Sequence, residues 1–265
     1  MNFFNKTSIL FFLSVVCSLS AQTTAQSKQP IDLYICIGQS NMAGRAPLSA
    51  EVMDTLHNVL LLNNEGQFEK AVNPLNKYSN IRKDMSMQGV GPTYAFAKAI
   101  AQKSKAPIAL VVNARGGSSI NSWLKDSKDG YYEQSLLRIR QAIDNGGVVK
   151  AIIWHQGEAD CKYPESYKKK LASMVNDLRT DLNCPDVPFI VGEISRWNWT
   201  KREEGTVPFN KMIRNVSSFI PNTDCVSSKG CNMRKDVTDP HFGLEGQIKL
   251  GERYAKKALK MMKKE

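Results

Sequence analysis

"IDLYICIGQSNMAGR", residues 31–45, is the stretch that decides the fold. Its first seven residues form a run rich in β-branched and aromatic side chains, and such a run reads as a strand buried on both faces. Gly38 and a group of small polar residues follow at once, so the strand stops there. Ser40 then stands just beyond its carboxyl end. On these residues alone Ser40 is either a nucleophile at a strand end or an ordinary turn serine.

The segments on either side repeat the pattern. Strands are expected at 58–63, 106–113, 149–155, 187–194 and 224–227. Helices are expected at 91–105, 131–147, 164–182, 207–220 and 243–264. Pro92 suits a first helical turn, and the glycines at 146–147 suit a helix end. Strands alternating with helices predict an α/β protein whose parallel sheet is covered on both faces. In open sheets of this kind ligands bind beyond the carboxyl ends of the strands. That rule gives weight to three further loops, "ARGGSSINSW" (114–123), "HQGEAD" (155–160) and "TDPHFG" (238–243).

A serine hydroxyl is a weak nucleophile until a base removes its proton. The chain has three histidines. His57 precedes a strand and reads as a surface residue. His155 ends a strand, where it is either a satisfied buried group or part of a site. His241 has Asp239 two residues before it, and an acid at that distance can orient an imidazole and stabilise its charged form. Gly116 and Gly117 are either a tight turn or a pair of unobstructed N–H donors. Gln156 is either an amide donor or a buried amide holding two loops together. Trp123 is either core packing or a wall against a sugar ring. The chain has Gly38-Gln39-Ser40-Asn41-Met42 where an α/β-hydrolase elbow would need a second glycine, which sets that fold aside. A metal hydrolase finds no support, since there is no HExxH.

The composition narrows the field. The chain has 265 residues, 42% of them hydrophobic, enough for one domain with a full core. Its net charge is +11, but the lysines cluster at 167–171 and 256–265 on expected helix faces without interleaved aromatics, so a nucleic-acid partner is not indicated. Lys6 precedes the apolar run 9–16, and small residues follow. That is the layout of a secretory signal peptide cleaved after Ser20 or Ala25, so export is expected. No later stretch is long and apolar enough for a membrane span. Export permits disulfides, and Cys225 with Cys231 is the best pair. Cys36 reads as a small core residue. Nothing in the sequence sets an oligomeric state.

The four blocks, in this order, resemble the SGNH-hydrolase superfamily and within it the branch of carbohydrate esterase family 6 and the sialate O-acetylesterases. "GQSNMAGR" is similar to the nucleophile block, "GGSSINSW" to the glycine block, "WHQGEAD" to the third block with Gln in place of the usual Asn, and "DPHFGLEGQIKLGERYA" to the histidine block and closing helix. The resemblance implies a flavodoxin-like three-layer α/β/α sandwich in a single domain (26–265), no metal or other cofactor, and removal of acetyl groups from sugars. It makes Ser40 the nucleophile, His241 the base, and Ser40 N–H, Gly117 and Gln156 the oxyanion hole. Gln39, Arg45, Gly116, Trp123 and His155 are expected against the substrate, an acetylated carbohydrate, with Trp197 a further wall. One departure stands out. The superfamily commonly has Asp three residues before the His, where this chain has Thr238. Asp239 is the favoured orienting acid and Glu158 the alternative. The competing classes are a carbohydrate-binding protein on an esterase scaffold, and a lipid esterase, which would need an apolar channel.

Overall fold

The computed structural model describes residues 29–196, 203–236 and 238–263. The expected leader and Trp197 lie outside the described residues. Seven strands form one sheet: β1 (Ile31–Gly38), β2 (Val59–Leu62), β3 (Phe68–Lys70), β4 (Ile108–Ala114), β5 (Gly147–His155), β6 (Phe189–Gly192) and β7 (Thr223–Val226). Their order across the sheet is β3-β2-β4-β1-β5-β6-β7. Every neighbouring pair is parallel except β2 with β3, an antiparallel edge that the sequence reading did not anticipate. The helices are α1 (Ser40–Ala43), α2 (Pro92–Ala101), α3 (Tyr131–Asp144), α4 (Pro164–Asp181), α5 (Glu203–Arg214) and α6 (Leu244–Met262).

The alternation along β1 builds both faces of the core, because successive strand side chains point to opposite sides of a sheet. Leu33, Ile35 and Ile37 join the apolar layer formed with α3, α4 and α5, which includes Tyr132, Tyr167, Leu171 and Phe209. Tyr34 and Cys36 join the opposite layer with α2 and α6, which includes Phe96, Ile100, Leu250 and Tyr254. The result is the three-layer α/β/α sandwich expected from the alternating pattern. α5 departs from the reading: it begins at Glu203 and stops at Arg214, and a short 3-10 turn over Val216–Ser218 follows. The β-branched and hydroxyl side chains of "NVSS" favour leaving the helix there.

Strand order explains where a site can form. From β1 the chain passes to one side of the sheet for β2, β3 and β4, then crosses to the other side for β5. The carboxyl ends of β1, β4 and β5 therefore lie side by side at the point where the order reverses, and a crevice opens beyond them. Gly38 is required at this point. Its φ of +142° is rarely adopted by other residues, and a Cβ there would collide with the carbonyl of His155 on β5. The chain can then turn sharply out of β1, so that Ser40 begins α1 rather than extending the strand.

The disulfide expectation is not met. Cys225 and Cys231 are not joined in a disulfide. Cys225 and Cys231 are each partly buried in apolar surroundings, which pushes both thiols up from their ordinary pKa. No helix of the described residues is long and apolar enough to cross a membrane.

Candidate active site

Four chain segments converge on the crevice. Gln39 and Ser40 come from the end of β1, Gly116 and Gly117 from the end of β4, Glu158 and Ala159 from beyond β5, and Pro240 and His241 from the loop before α6. Together with Arg45, Lys83 and Met87 they line an open cleft of about 530 Å³.

At its floor Ser40 Oγ lies 3.0 Å from His241 Nε2. His241 Nδ1 lies 2.6 Å from Asp239 Oδ1, and the His241 backbone N–H donates to the same oxygen at 3.0 Å. The loop thus bends so that an acid two residues before the histidine reaches Nδ1, the position commonly served in the resembling superfamily by an Asp three residues before. Arg234 Nε donates to the other oxygen, Asp239 Oδ2, at 2.8 Å. Burial opposes the charge on Asp239, but the bonds from Arg234 and His241 outweigh it and hold the carboxyl below its ordinary value. Burial also lowers the His241 pKa, and this exceeds the opposite pull of Asp239 and Glu158. The ring is therefore neutral at neutral pH, with Nδ1–H donating to Asp239 and Nε2 free to accept the serine proton.

Glu158, the alternative acid, is placed elsewhere. Its Oε1 accepts from Asn41 Nδ2 at 2.5 Å and lies 3.7 Å from His155 Nε2. Burial raises its pKa, yet His155 and Asn41 more than compensate and keep it below the ordinary carboxyl value. Asn41, fully buried, is a residue the sequence reading overlooked. It also donates to Pro240 O and accepts from Phe242 N–H and Gln247 Nε2. One side chain thus joins the serine turn to the histidine loop and to α6, and fixes the distance across which Ser40 and His241 meet.

Three expected substrate or oxyanion contacts require correction. Trp123 is 1% exposed and packs edge-on against Trp154 with ring centroids 5.1 Å apart, so it is a core residue and not a sugar-facing wall. Its Nε1–H donates to Ser118 Oγ and so supports the glycine loop from beneath. His155 is sealed in the interior, its Nδ1 paired with Tyr254 Oη, and does not face the cleft. Gln156 is 1% exposed, and Nε2 donates to Ser118 O at 2.9 Å and to Asp160 Oδ2 at 2.5 Å. Both amide hydrogens are taken, so Gln156 is the amide that holds two loops together. By contrast Gly117, at a φ of +75°, has open space where a Cβ would be. Among the described residues neither Ser40 N–H nor Gly117 N–H has an acceptor.

Arg45 crosses the cleft wall beside Gly116, with Nη1 donating at 2.7 Å to the carbonyls of Gly44 and Met87. Burial and the nearby Arg234 lower its pKa. Lys83, Met87 and Arg234 carried no signal in the sequence because they sit in loops without a motif. His57 is exposed, as expected. Among the described residues no group of His, Cys, Asp or Glu is arranged to hold a metal ion.

A nucleophile, an oriented base and free donors in one cleft are the parts of an ester hydrolase. Residues 30–260 match the family model described as carbohydrate esterase, sialic acid-specific acetylesterase. A probable carbohydrate esterase of Arabidopsis thaliana, At4g34215, is 30% identical over 243 residues, which cover 84% of this chain and 88% of that protein. Its crystal structure superposes with a TM-score of 0.74 over 88% of this chain and 99% of that one. A carbohydrate acetylesterase of Xanthomonas citri, XAC1771, shares the fold at 17% identity, with a TM-score of 0.62 over 88% of this chain and 57% of its own. The chain belongs to the carbohydrate esterase family of sialic acid-specific acetylesterases and is a hydrolase of ester bonds.

Proposed function

We propose that this protein removes O-acetyl groups from sugars through an acetyl-serine intermediate, with Ser40, His241 and Asp239 as the catalytic residues. The observation that carries the reading is the continuous chain from Ser40 Oγ through His241 to Asp239, at the floor of an open cleft. His241 Nε2 takes the Ser40 proton as Oγ bonds to the acetyl carbon, and the carbonyl electron pair moves onto its oxygen. Collapse of this intermediate expels the sugar oxygen, which receives the proton from His241. Water then attacks the acetyl-serine and gives its proton to His241. Acetate leaves, and the proton returns to Ser40 Oγ. Asp239 orients the ring and stabilises its charged form. Ser40 N–H and Gly117 N–H receive the negative oxygen in both tetrahedral intermediates.

Arg45 and Lys83 on the cleft wall favour a glycan that carries a carboxylate, such as an acetylated sialic acid, over neutral acetylated xylan. The leader-like residues 1–25 support export, with the remaining chain working outside the cytoplasm. The test is acetate release from acetylated sialic acid and from acetylated xylan. The account expects a higher kcat/KM on the acidic sugar and selective loss of that advantage in Arg45→Ala. No release from either sugar would contradict the activity, and equal loss on both would contradict the acidic preference.

The lowered His241 pKa sets a pH dependence. The base works only when neutral, so kcat/KM is lost as pH falls through its pKa. Because burial moves that pKa down, the acid limb should have its midpoint below the value of about 6.5 for an unperturbed histidine. A midpoint above that value in a pH–rate profile would contradict the neutral, desolvated His241.

A further inference from the structure

The expected side-chain donor of the oxyanion hole, Gln156, has no amide hydrogen to spare. Its carboxamide orientation is fixed, since both acceptors around Nε2 are oxygens. Asp160 holds it from a second direction by accepting from Ser119 Oγ and Ile120 N–H as well. Another glutamine presents the opposite pattern. Gln39, immediately before Ser40, lines the cleft although it is only 3% exposed. Its Oε1 accepts the backbone N–H of Gly157 at 3.3 Å. A backbone N–H needs an oxygen there, so the Gln39 amide is fixed with Nε2 as its other end. Among the described residues Nε2 has no acceptor, and it is not among the buried polar atoms sealed from solvent. Nε2 is thus an oriented donor open to the cleft, available to an acceptor placed there.

We infer that Gln39, rather than Gln156, supplies the side-chain N–H that binds the reacting carbonyl oxygen, completing the set begun by Ser40 N–H and Gly117 N–H. The inference rests on Ser40 being the nucleophile, since the oxygen in question is that of the ester Ser40 attacks. The location suits the task. Gln39 spans from the serine turn at the end of β1 to Gly157 beyond β5, so the side chain is braced at its far end by the same loop that carries Glu158. A braced donor needs little reorganisation when charge develops on the oxygen, which is the condition under which such a bond speeds the reaction. Gln156 then has a supporting role: with Asp160 it ties the β5 loop to Ser118 and so keeps Gly117 in place.

The experiment compares wild type, Ser40→Ala, Gln39→Met, Gln39→Glu and Gln156→Met on p-nitrophenyl acetate, with kcat and KM measured separately and a melting temperature for each. Gln39→Met removes the donor without adding charge. Gln39→Glu keeps an oxygen for Gly157 N–H and so preserves the brace. The inference expects both to lose about 10²- to 10³-fold in kcat with KM little changed. Gln156→Met should show its main effect in the melting temperature. A loss under about tenfold, a loss carried by KM, or a loss in Gln39→Met that is absent from Gln39→Glu would overturn the inference, the last because it would mark a bracing role alone. If Ser40→Ala matches wild type, the nucleophile reading fails instead, and the two failures are told apart by that variant.

Discussion

Ser40→Ala should abolish ester hydrolysis, with a fall of about a million-fold in kcat and residual turnover close to that of a site that merely binds and polarises the ester. In the proposed mechanism Ser40 is the shared element of every step: its Oγ forms the bond to the acetyl carbon, and its N–H receives the oxygen. The substitution touches little else. Among the described residues the hydroxyl is paired with His241 alone, and α1 is held by Gly38, Gly44 and Asn41. The melting temperature should therefore stay near that of wild type, so that lost activity is not lost folding. Kinetics on p-nitrophenyl acetate with circular dichroism melting check both parts. A variant that keeps a tenth or more of wild-type kcat would remove Ser40 from the mechanism.

Asp239→Asn should cost about 10⁴-fold in kcat, whereas Glu158→Gln should cost far less. The distinction follows from contacts. Asp239 receives Nδ1–H of His241 at 2.6 Å, and an amide there presents either a neutral acceptor or a second donor, which sets the wrong tautomer. The lost carboxylate also removes the interaction that favours imidazolium, so any remaining acid limb should move to still lower pH. Glu158 instead pairs with Asn41 and lies beside His155. Glutamine can keep the bond from Asn41 Nδ2, so Glu158→Gln should act mainly through stability, since it removes a charge from a buried network. Rates and melting temperatures of the two variants decide the matter. If Glu158→Gln were the more damaging in kcat at unchanged stability, Glu158 would be the orienting acid.

Much of the arrangement could be read from the sequence, for reasons that are local. The run 31–37 alternates toward two apolar layers, so a strand covered on both faces was evident before any partner strand was known. Ser40, Gly117, Asp239 and His241 lie directly after strands or before a helix, where the chain's own punctuation marks them. What escaped notice depends on long-range packing. β3 is three residues long and is defined only by its pairing with β2. Trp123, in the short helical turn after β4, His155, at the end of β5, and Gln156, just beyond it, carry the residue types of a site but face inward, Trp123 onto Trp154, His155 onto Tyr254 and Gln156 onto Ser118 and Asp160; no period or spacing reports which way such a side chain turns. Asn41 was invisible as a positioning residue because its partners are Glu158, Pro240, Phe242 and Gln247, all more than a hundred residues away. Arg45 and Lys83 line the same cleft for the same reason, which no local pattern in the sequence reports.

The central claim is that acetyl groups pass through Ser40. Rapid acid quench of the enzyme during turnover of an acetylated sialic acid, followed by peptide mass analysis, tests it most directly. The account predicts a single acetyl increment on the peptide bearing Ser40, present in wild type, accumulating under conditions that slow deacylation, and missing from Ser40→Ala. Acetate release with no acetylated peptide at any quench time, or an acetyl group found on another residue, would contradict it.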